Sequence, residues 1–369
     1  MKKFYYLLFI GLISVLLATG CTVEKRDTDV NKIVIGAIQP LTGETAYVGE
    51  WVKNGIDLAV EKLRENGREI EVIYEDDSCK PDRAISALHK LVNINNVKII
   101  IGPTCSSSLL SAAPVAEENK VVLFSTVATA SKITEAGDYI FRNRESDAAH
   151  GRTMAEFVFD NLKARRAGIL FLNRDNGIGF KESFKSRFEE LGGQTVIEES
   201  FELADNDFRT QLIKIKNADV DVLYFAGQSM ENAIVQARQL GMQQKIAGAS
   251  TMEKDSLLEI AGEFAEEIIY TYPAFDENSD EFEIYQNDYK NRYGENSEAY
   301  AANSFDALNL IITAIDKCSD DTECVKQFFY NTKNYQGVSG TFGFDENGDV
   351  VKEILIKTIK NGQFVPYEE

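Results

Sequence analysis

Apolar and polar positions follow two different spacings along the chain, and the changes between them predict strands followed by helices. Residues 33–38 form a continuous apolar run, which is typical of a buried strand. Residues 46–66 carry apolar side chains at helical spacing, and Gly67 ends that helix. Because strands keep alternating with helices, we expect a parallel sheet with right-handed crossovers. The further elements predicted in this half are strands at 69–74, 97–101 and 121–124 and helices at 84–92 and 109–119.

The alternation restarts near residue 148, and the repeat is one of architecture, not of sequence. We therefore expect an α/β fold of two doubly wound parallel-sheet lobes with a cleft between them. The predicted elements of the second part are helices at 148–162, 180–191, 208–216 and 231–240 and strands at 167–172, 194–200, 220–226, 246–249 and 267–271.

The last hundred residues begin with helical spacing and end with strands. Helices are predicted at 281–293, 300–316 and 323–330, and a strand, turn and strand at 340–359. The turn at 345–349 superficially resembles a calcium loop. Its twelfth place holds Ile356, which offers no carboxylate, so we interpret the segment as a turn and expect no metal.

Two predicted strands run directly into turns that are rich in hydroxyl groups. The strand at 97–101 is followed by GPTCSSS at 102–108, and the strand at 121–124 is followed by STVAT at 125–129. Hydroxyl and N–H groups at a helix N-terminus suit a carboxylate or another small anion. In open α/β sheets, ligands bind at the carboxyl ends of the strands. We interpret the two turns as half of a small-molecule site.

Composition narrows the class of partner. The 369 residues are 44% apolar, which is enough for two domains with substantial cores. Lys and Arg number 39 and Asp and Glu number 59, so the formal net charge is −20. A chain this acidic is poorly suited to nucleic acid or to anionic lipid surfaces.

The first residues predict export. Lys2 and Lys3 precede an apolar run at 4–17 that is shorter than the roughly 20 residues of a transmembrane helix. Small residues before Cys21 resemble the lipobox of prokaryotic lipoproteins, in which the cysteine is lipidated. We expect residues 1–20 to be a lipoprotein signal peptide and 21–31 a tether to the outer face of the cell membrane. A plain secretory signal or an uncleaved anchor are the alternatives, and both also export the chain.

Five cysteines in an exported chain suggest one lipidated and four paired thiols. Four thiols allow three connectivities, and we favour one bond that joins two neighbouring βα turns and one short local bond. Free buried cysteines are the alternative, and no C-x-x-C pair is present for a metal. The favoured pairs are Cys79–Cys105 and Cys318–Cys324.

A series of short motifs gives the chain a family likeness. From residue 32 to about 363, it resembles the type I periplasmic solute-binding proteins of ABC transporters, in the leucine/isoleucine/valine-binding branch. The resemblance implies two lobes, a hinge of three crossings, no cofactor and a permease as partner. The motifs are IGAIQPLTG at 35–43, NG at 54–55, EDDSC at 75–79, IGPTCSSS at 101–108, FR at 141–142, SD at 146–147, QARQLG at 236–241 and FDENGD at 344–349.

The resemblance also implies ligand contacts in the first lobe. In the amino-acid binders of the family, the serine after the second cysteine holds the ligand carboxylate, and that position is Ser106. A threonine of the next turn joins it, here Thr129, and a backbone carbonyl just before that threonine, here Ala128, receives the ammonium group. Helix capping is the alternative role for the two hydroxyl groups. The disulfide of the family corresponds to Cys79 and Cys105.

The second lobe departs from the family pattern. The aromatic residue before its Gly-x-Gly turn is replaced by Asn176, the Tyr-rich turn by a segment containing Gln228, and the acidic partner of the ammonium by Ser250. The aromatic residue of the first turn falls on Val48, beside Tyr47 and Trp51. A buried ammonium without an anion costs several kcal/mol. Either Asp175, Glu231 or Glu253 supplies the anion, or the ligand is an amide, an amine-free carboxylate or another small polar solute.

No catalytic arrangement accompanies these motifs. The two histidines, His89 and His150, lie in predicted helices, and no metalloprotease, nucleophile-elbow or P-loop motif is present. Asp76 and Asp77 suit turn capping better than acid–base chemistry. We predict a monomeric, lipid-anchored solute-binding protein that works with an ABC permease and is not an enzyme. A ligand-sensing or regulatory lipoprotein on the same fold is the alternative.

The expected division of the chain follows from three crossings between lobes, near Glu145, Tyr272 and Asp345. The N-terminal lobe would comprise residues 32–145 plus 273–345. The C-terminal lobe would comprise residues 146–272 plus 346–369. A ligand held between the two lobes would favour the closed arrangement.

Overall fold

Five parallel strands form the first sheet of the protein. The computed structural model describes residues 32–274 and 279–368. The strand order is β2-β1-β3-β4-β5, and helices cover both faces. The elements are β1 (Lys32–Gln39), α1 (Ala46–Glu65), β2 (Glu69–Asp76), α2 (Pro81–Asn93), β3 (Ile99–Ile101), α3 (Ser106–Asn119), β4 (Val122–Ser125) and β5 (Ile140–Arg142).

The second sheet repeats this architecture with its own helices. Its parallel part has the order β10-β9-β8-β6-β7. The elements are α4 (Asp147–Asp160), β6 (Arg166–Leu172), α5 (Asp175–Glu190), β7 (Gln194–Phe201), α6 (Arg209–Asn217), β8 (Val222–Ala226), α7 (Glu231–Gln239), β9 (Lys245–Gly248), α8 (Asp255–Ala261) and β10 (Ile269–Pro273).

The C-terminal part of the chain contributes to both sides of the molecule. A small antiparallel sheet has the order β11-β12-β13, and the last two strands extend the second sheet in antiparallel orientation beside β10. The elements are α9 (Asp280–Tyr293), α10 (Ala299–Cys318), α11 (Thr322–Asn331), β11 (Tyr335–Gly337), β12 (Gly340–Phe344), β13 (Val350–Val351), β14 (Ile354–Lys360) and β15 (Gln363–Pro366).

The first sheet is buried on both faces, which explains its continuous apolar runs. In β3, Ile99 and Ile101 pack with α1, α10 and α11, whereas Ile100 packs with α2 and α3. Helix α10 lies very close to α1 at Gly55. A Cβ placed on this glycine would come within 2.1 Å of the Ala301 carbonyl oxygen. A glycine at this position is therefore required for the two helices to pack. This close packing fixes the start of α10 beside the carboxyl edge of the sheet.

The chain passes between the two sheets three times, after β5, after β10 and after β13. The third passage differs from the predicted one at Asp345. Residues 345–349 form the predicted turn, but Val350 and Val351 then pair back with β12, and Asp349 forms an ion pair with Arg142 of β5. Residues 346–351 therefore lie with the first sheet, and the chain crosses only between β13 and β14.

Both favoured disulfides are present. Cys79 is bonded to Cys105 across the turns that follow β2 and β3, and Cys318 is bonded to Cys324 between α10 and α11. The Cα atoms of each pair are 5.5 Å apart. The first bond therefore fixes the start of α3 to the neighbouring turn of the sheet.

Candidate functional site

The two hydroxyl-rich turns of the first sheet lie side by side at its carboxyl edge. Cys105 is the N-cap residue of α3, so Ser106 occupies the first helical position and not the cap. The Ser106 Oγ instead accepts a hydrogen bond from the Ala130 N–H across the two turns, at 3.3 Å. The turn after β4 is held by Ser125, whose Oγ donates to the Pro103 carbonyl and accepts from the Ala128 N–H. The structure thus brings Ser106 next to the segment that carries Thr129.

Thr129 connects this edge to the start of the second lobe. Its carbonyl oxygen accepts a hydrogen bond from the Asp147 N–H at 2.9 Å. Ala128, one residue earlier, is 2% exposed. Thr129 therefore lies at the junction of the two lobes, where a bound solute could contact both.

Asp147, at the start of α4, is a buried carboxyl group at this junction. It is 2% exposed, and its Oδ2 receives no hydrogen bond from any described residue. Burial raises the pKa of Asp147 to about 8, although the Thr129 hydroxyl and the charges of Arg142 and Arg144 oppose the shift. At neutral pH this carboxyl group is therefore mostly protonated and uncharged.

The turn residues of the second lobe lie at the carboxyl ends of its parallel strands. Asn176 is half-buried in the first turn of α5, after β6. Gln228 is exposed after β8, and Ser250 is half-buried after β9. Their side chains make no hydrogen bond within the part of the chain that the structure describes. They are therefore available to a ligand that approaches this edge.

Two of the three acidic residues considered as partners of a ligand ammonium already have partners in the protein. Glu231 forms an ion pair with Lys254 and accepts a hydrogen bond from Ser256. Glu253 binds Lys357 at 2.7 Å and the Tyr270 hydroxyl at 2.6 Å. Asp175 is exposed at the start of α5. Neither Glu231 nor Glu253 is therefore free to act as the acidic partner that position 250 no longer supplies.

An aromatic group lies beside the carboxyl edge of the first sheet. Tyr47 contacts Trp51 edge to face, with ring centroids 5.0 Å apart, and Trp51 stacks on Tyr300 of α10 at 6.2 Å. The Arg144 guanidinium lies over the Tyr300 ring, 5.6 Å from its centroid. Tyr47 is one of the site residues predicted from the sequence, whereas Tyr300, Arg144 and Asp147 were not predicted. The cluster of charged residues in the predicted crossing segment (Arg142, Arg144, Glu145 and Asp147) was the signal that could have found Arg144 and Asp147.

Comparison with known proteins assigns the family. A family model described as periplasmic binding protein matches residues 32–363. The leucine-, isoleucine-, valine-, threonine-, and alanine-binding protein of Pseudomonas aeruginosa is 28% identical over 344 residues, which cover 91% of this chain and 89% of that protein. The chain belongs to the periplasmic binding protein family. The predicted resemblance to its leucine/isoleucine/valine-binding branch is confirmed.

Solved structures support the same assignment for this periplasmic binding protein. A leucine binding protein from Thermotoga maritima has a TM-score of 0.77 and 30% identity, and the match covers 91% of this chain and 98% of that one. A solute binding protein of an ABC transporter from Rhodopseudomonas palustris BisB5, solved with 3,4-dihydroxybenzoic acid, has a TM-score of 0.75 and 25% identity over 91% of this chain and 96% of that one. The predicted two-lobed α/β fold is confirmed.

The relatives are binding proteins, which confirms the prediction that this family member is not an enzyme. Among residues 32–274 and 279–368, no helix combines the length and the apolar composition needed to cross a bilayer. The same residues contain no group of three or more His, Cys, Asp or Glu side chains that could hold a metal ion. The predicted signal peptide (residues 1–20), Cys21 and the tether (residues 21–31) lie outside the described residues.

The buried Asp147 carboxyl group gives this periplasmic binding protein a testable pH dependence. Because the folded pKa of about 8 lies above the ordinary value of 3.8, the folded protein keeps a proton that the unfolded chain has lost between these pH values. The stabilisation that the folded protein gains by keeping Asp147 protonated is therefore complete below about pH 4. It declines as the pH rises to 8. We expect Asp147→Asn, which cannot ionise, to gain stability over the unsubstituted protein by up to about 1.4 kcal/mol per pH unit in this interval.

The measurement is the melting temperature of both proteins at several pH values from 4 to 8. Asp82→Asn is the matched control, because Asp82 also lies in the first turn of a helix, α2, but is exposed. The difference in melting temperature between Asp82→Asn and the unsubstituted protein should stay nearly constant from pH 4 to 8. A constant difference for Asp147→Asn as well would show that Asp147 is ionised in the folded protein.

Proposed function

We propose that this protein is an extracytoplasmic solute-binding lipoprotein that delivers a small polar ligand to an ABC permease. The observation that carries the proposal is the hydrogen bond from the Ala130 N–H to the Ser106 Oγ. It holds two hydroxyl-bearing turns together at the carboxyl edge of the first sheet, which is where open α/β sheets bind ligands. Thr129, in the second of these turns, also accepts a hydrogen bond from the N–H of Asp147, the first residue of α4.

The ligand class is an amino acid, an amide or a small carboxylate. The relatives are named for binding amino acids, and one structural neighbour holds an aromatic acid. Ser106 and Thr129 are proposed to bind a carboxylate or amide oxygen, with the Ala128 carbonyl and Tyr47 beside them. In the second lobe, the proposed contacts are the neutral side chains Asn176, Gln228 and Ser250. These neutral groups favour a ligand without a buried ammonium group.

The mechanism is a population shift between open and closed arrangements of the lobes. A solute that contacts both lobes binds the closed arrangement better and therefore increases its share. The three connecting segments act as the hinge. The closed form is what the permease would receive, and the protein would act as a monomer.

Lipidation at Cys21 would keep the binding protein at the outer face of the cell membrane, close to the permease. A single acyl chain gives only reversible membrane binding, so stable anchoring needs more than one chain. A regulatory or sensing lipoprotein on the same fold remains the alternative function. Neighbouring genes for a permease and an ATPase would distinguish transport from sensing.

The test is a binding experiment on the Ser106→Ala, Thr129→Ala double variant. Ligands are first found by a thermal-shift screen of amino acids, amides, urea-like compounds and short carboxylates. A ligand at 100 times its dissociation constant stabilises the protein by about 2.7 kcal/mol. Because hydrogen bonds to a charged group contribute about 1.5–3 kcal/mol each, we expect the double variant to bind at least about 100-fold more weakly by calorimetry.

The control for this experiment is Ser107→Ala, because Ser107 is the exposed neighbour of Ser106 on the same helix turn. Its affinity should match that of the unsubstituted protein. Unchanged binding by the double variant would show that the ligand does not contact these hydroxyl groups.

A further inference from the structure

Three buried side-chain oxygens lie without a hydrogen-bond partner where the two lobes meet. They are Ser131 Oγ, Asp147 Oδ2 and Tyr224 Oη, and none is bonded to a residue in 32–274 or 279–368. The first begins the short helical turn after the proposed ligand-binding segment, the second begins α4, and the third lies in β8 of the second lobe. Buried polar atoms in folded proteins are nearly always hydrogen-bonded, so these three oxygens need a partner.

The first two of these oxygens border the same point on α5. Gly179 lies there, and a Cβ placed on it would come within 3.1 Å of Ser131 Oγ, 3.3 Å of Asp147 Cβ and 3.6 Å of Asp147 Oδ2. A side chain at position 179 would crowd both oxygens, whereas glycine leaves the surface of the helix bare beside them. At this point, the turn that carries Ser131 in the first lobe therefore meets a helix of the second lobe.

Tyr224 supplies the third oxygen from the sheet of the second lobe. Its side chain is fully buried, and its ring stacks on Phe184 of α5 with the centroids 4.0 Å apart. Burial and, after it, the nearby Asp147 carboxyl group raise the pKa of the Tyr224 hydroxyl well above its usual value. The hydroxyl group therefore keeps its proton and can donate a hydrogen bond near Asp147.

The charges around the three oxygens argue against an ion as their partner. The positive charges of Arg142 and Arg144 already act on the Asp147 carboxyl group, so a further cation would be repelled. An anion would find the lone pairs of a carboxyl oxygen facing it. Two hydroxyl groups and a carboxyl oxygen suit a small neutral molecule that both donates and accepts, and water bound by two to four polar groups has this chemistry.

We propose that Ser131, Asp147 and Tyr224 form a site for one buried water molecule that bridges the two lobes. The Tyr224 hydroxyl donates to the water, and the water donates to Ser131 Oγ and Asp147 Oδ2. About three hydrogen bonds are usual for a buried water, so these groups complete the site. The water joins the segment after Thr129 to the sheet of the second lobe beside the first connecting segment. This inference goes beyond the proposed function and does not depend on which solute is bound.

A high-resolution crystal structure of the protein tests the site directly. We expect electron density for a water within about 2.7–3.2 Å of Ser131 Oγ, Asp147 Oδ2 and Tyr224 Oη. Direct hydrogen bonds among the three side chains, or the absence of density between them, would overturn the proposal.

Thermal unfolding tests the same bridge in solution. Because Tyr224→Phe and Ser131→Ala each remove one partner of the water, we expect each variant to lower the melting temperature by about 1–4 °C. The double variant should lose clearly less than the sum of the two, because both substitutions remove the same water. A hydroxyl group without any partner would behave in the opposite way, since its removal costs nothing or stabilises the protein.

The matched control is Thr195→Val. The Thr195 hydroxyl is also buried without a partner among the described residues, but it lies in β7, the edge strand of the second sheet. This substitution should leave the melting temperature unchanged or raise it. An unchanged or higher melting temperature for Tyr224→Phe as well, or additive losses in the double variant, would contradict a water shared between the lobes.

Discussion

Replacing Arg142 with Met is expected to lower the free energy of unfolding by about 3–5 kcal/mol, because it removes a fully buried cation and leaves the half-buried Asp349 carboxylate without its charged partner. The Arg142 side chain is fully buried, and it donates to Asp349 from Nε at 2.6 Å and from Nη2 at 2.8 Å. It also donates from Nη1 to the Ala130 carbonyl at 3.0 Å. Urea unfolding followed by circular dichroism measures the loss.

The matched control is Lys98→Met, which removes a cation from an exposed ion pair. Lys98 and Asp320 are 2.7 Å apart, but their side chains are 52% and 83% exposed. Exposed pairs contribute about 0–1 kcal/mol, so this variant should unfold at nearly the same urea concentration as the unsubstituted protein. Equal losses for the two variants would mean that the burial of Arg142 has no energetic consequence.

The Arg142 ion pair also bears on ligand binding. Its contact with the Ala130 carbonyl holds the segment whose N–H group donates to Ser106. The same cation fixes the segment before β13 to the first sheet through Asp349. Loss of the pair should therefore loosen both a proposed ligand-binding turn and one of the three connections between the lobes.

Local patterns along the sequence predicted the first sheet and its turns well, for a physical reason. Strands buried on both faces must be apolar throughout, as residues 99–101 are, and their carboxyl ends must lie at one edge. The hydroxyl groups of Ser106 and Thr129 follow two such strands directly. Their proximity thus required only the correct order of strands, which right-handed crossovers restrict strongly.

Contacts between distant parts of the chain were not predictable in the same way. Glu253 is paired with Lys357, which lies 104 positions further along the chain, so its unavailability to a ligand is invisible in the local sequence. Strand β13 has only two residues, which is too short to show any periodicity in the sequence. Because it pairs with β12, the chain crosses between the lobes after β13 and not near Asp345 as predicted. The burial of Arg144 and Asp147 likewise depends on how both lobes pack around one connecting segment.

Removing the Cys79–Cys105 disulfide by a double substitution to Ala is expected to destabilise the protein by about 3.5 kcal/mol on the chain-entropy model. The cysteines are separated by 26 positions, and the bond restricts the unfolded chain over that loop. The second disulfide, Cys318–Cys324, is separated by 6 positions and should contribute only about 2.3 kcal/mol on the same model. Guanidinium unfolding of the two double variants under identical conditions measures this difference.

The two disulfides should differ even more in their effect on binding. Cys105 is the N-cap residue directly before Ser106, so its loss frees the turn that carries a proposed ligand contact. Cys318 is the last residue of α10, and its bond to Cys324 joins it to the start of α11. Tyr300, near the carboxyl edge of the first sheet, lies at the other end of α10. We therefore expect weaker ligand binding only in the Cys79→Ala, Cys105→Ala variant. Equal affinities, or a larger loss of stability for the short loop, would contradict the structural role assigned to the first bond.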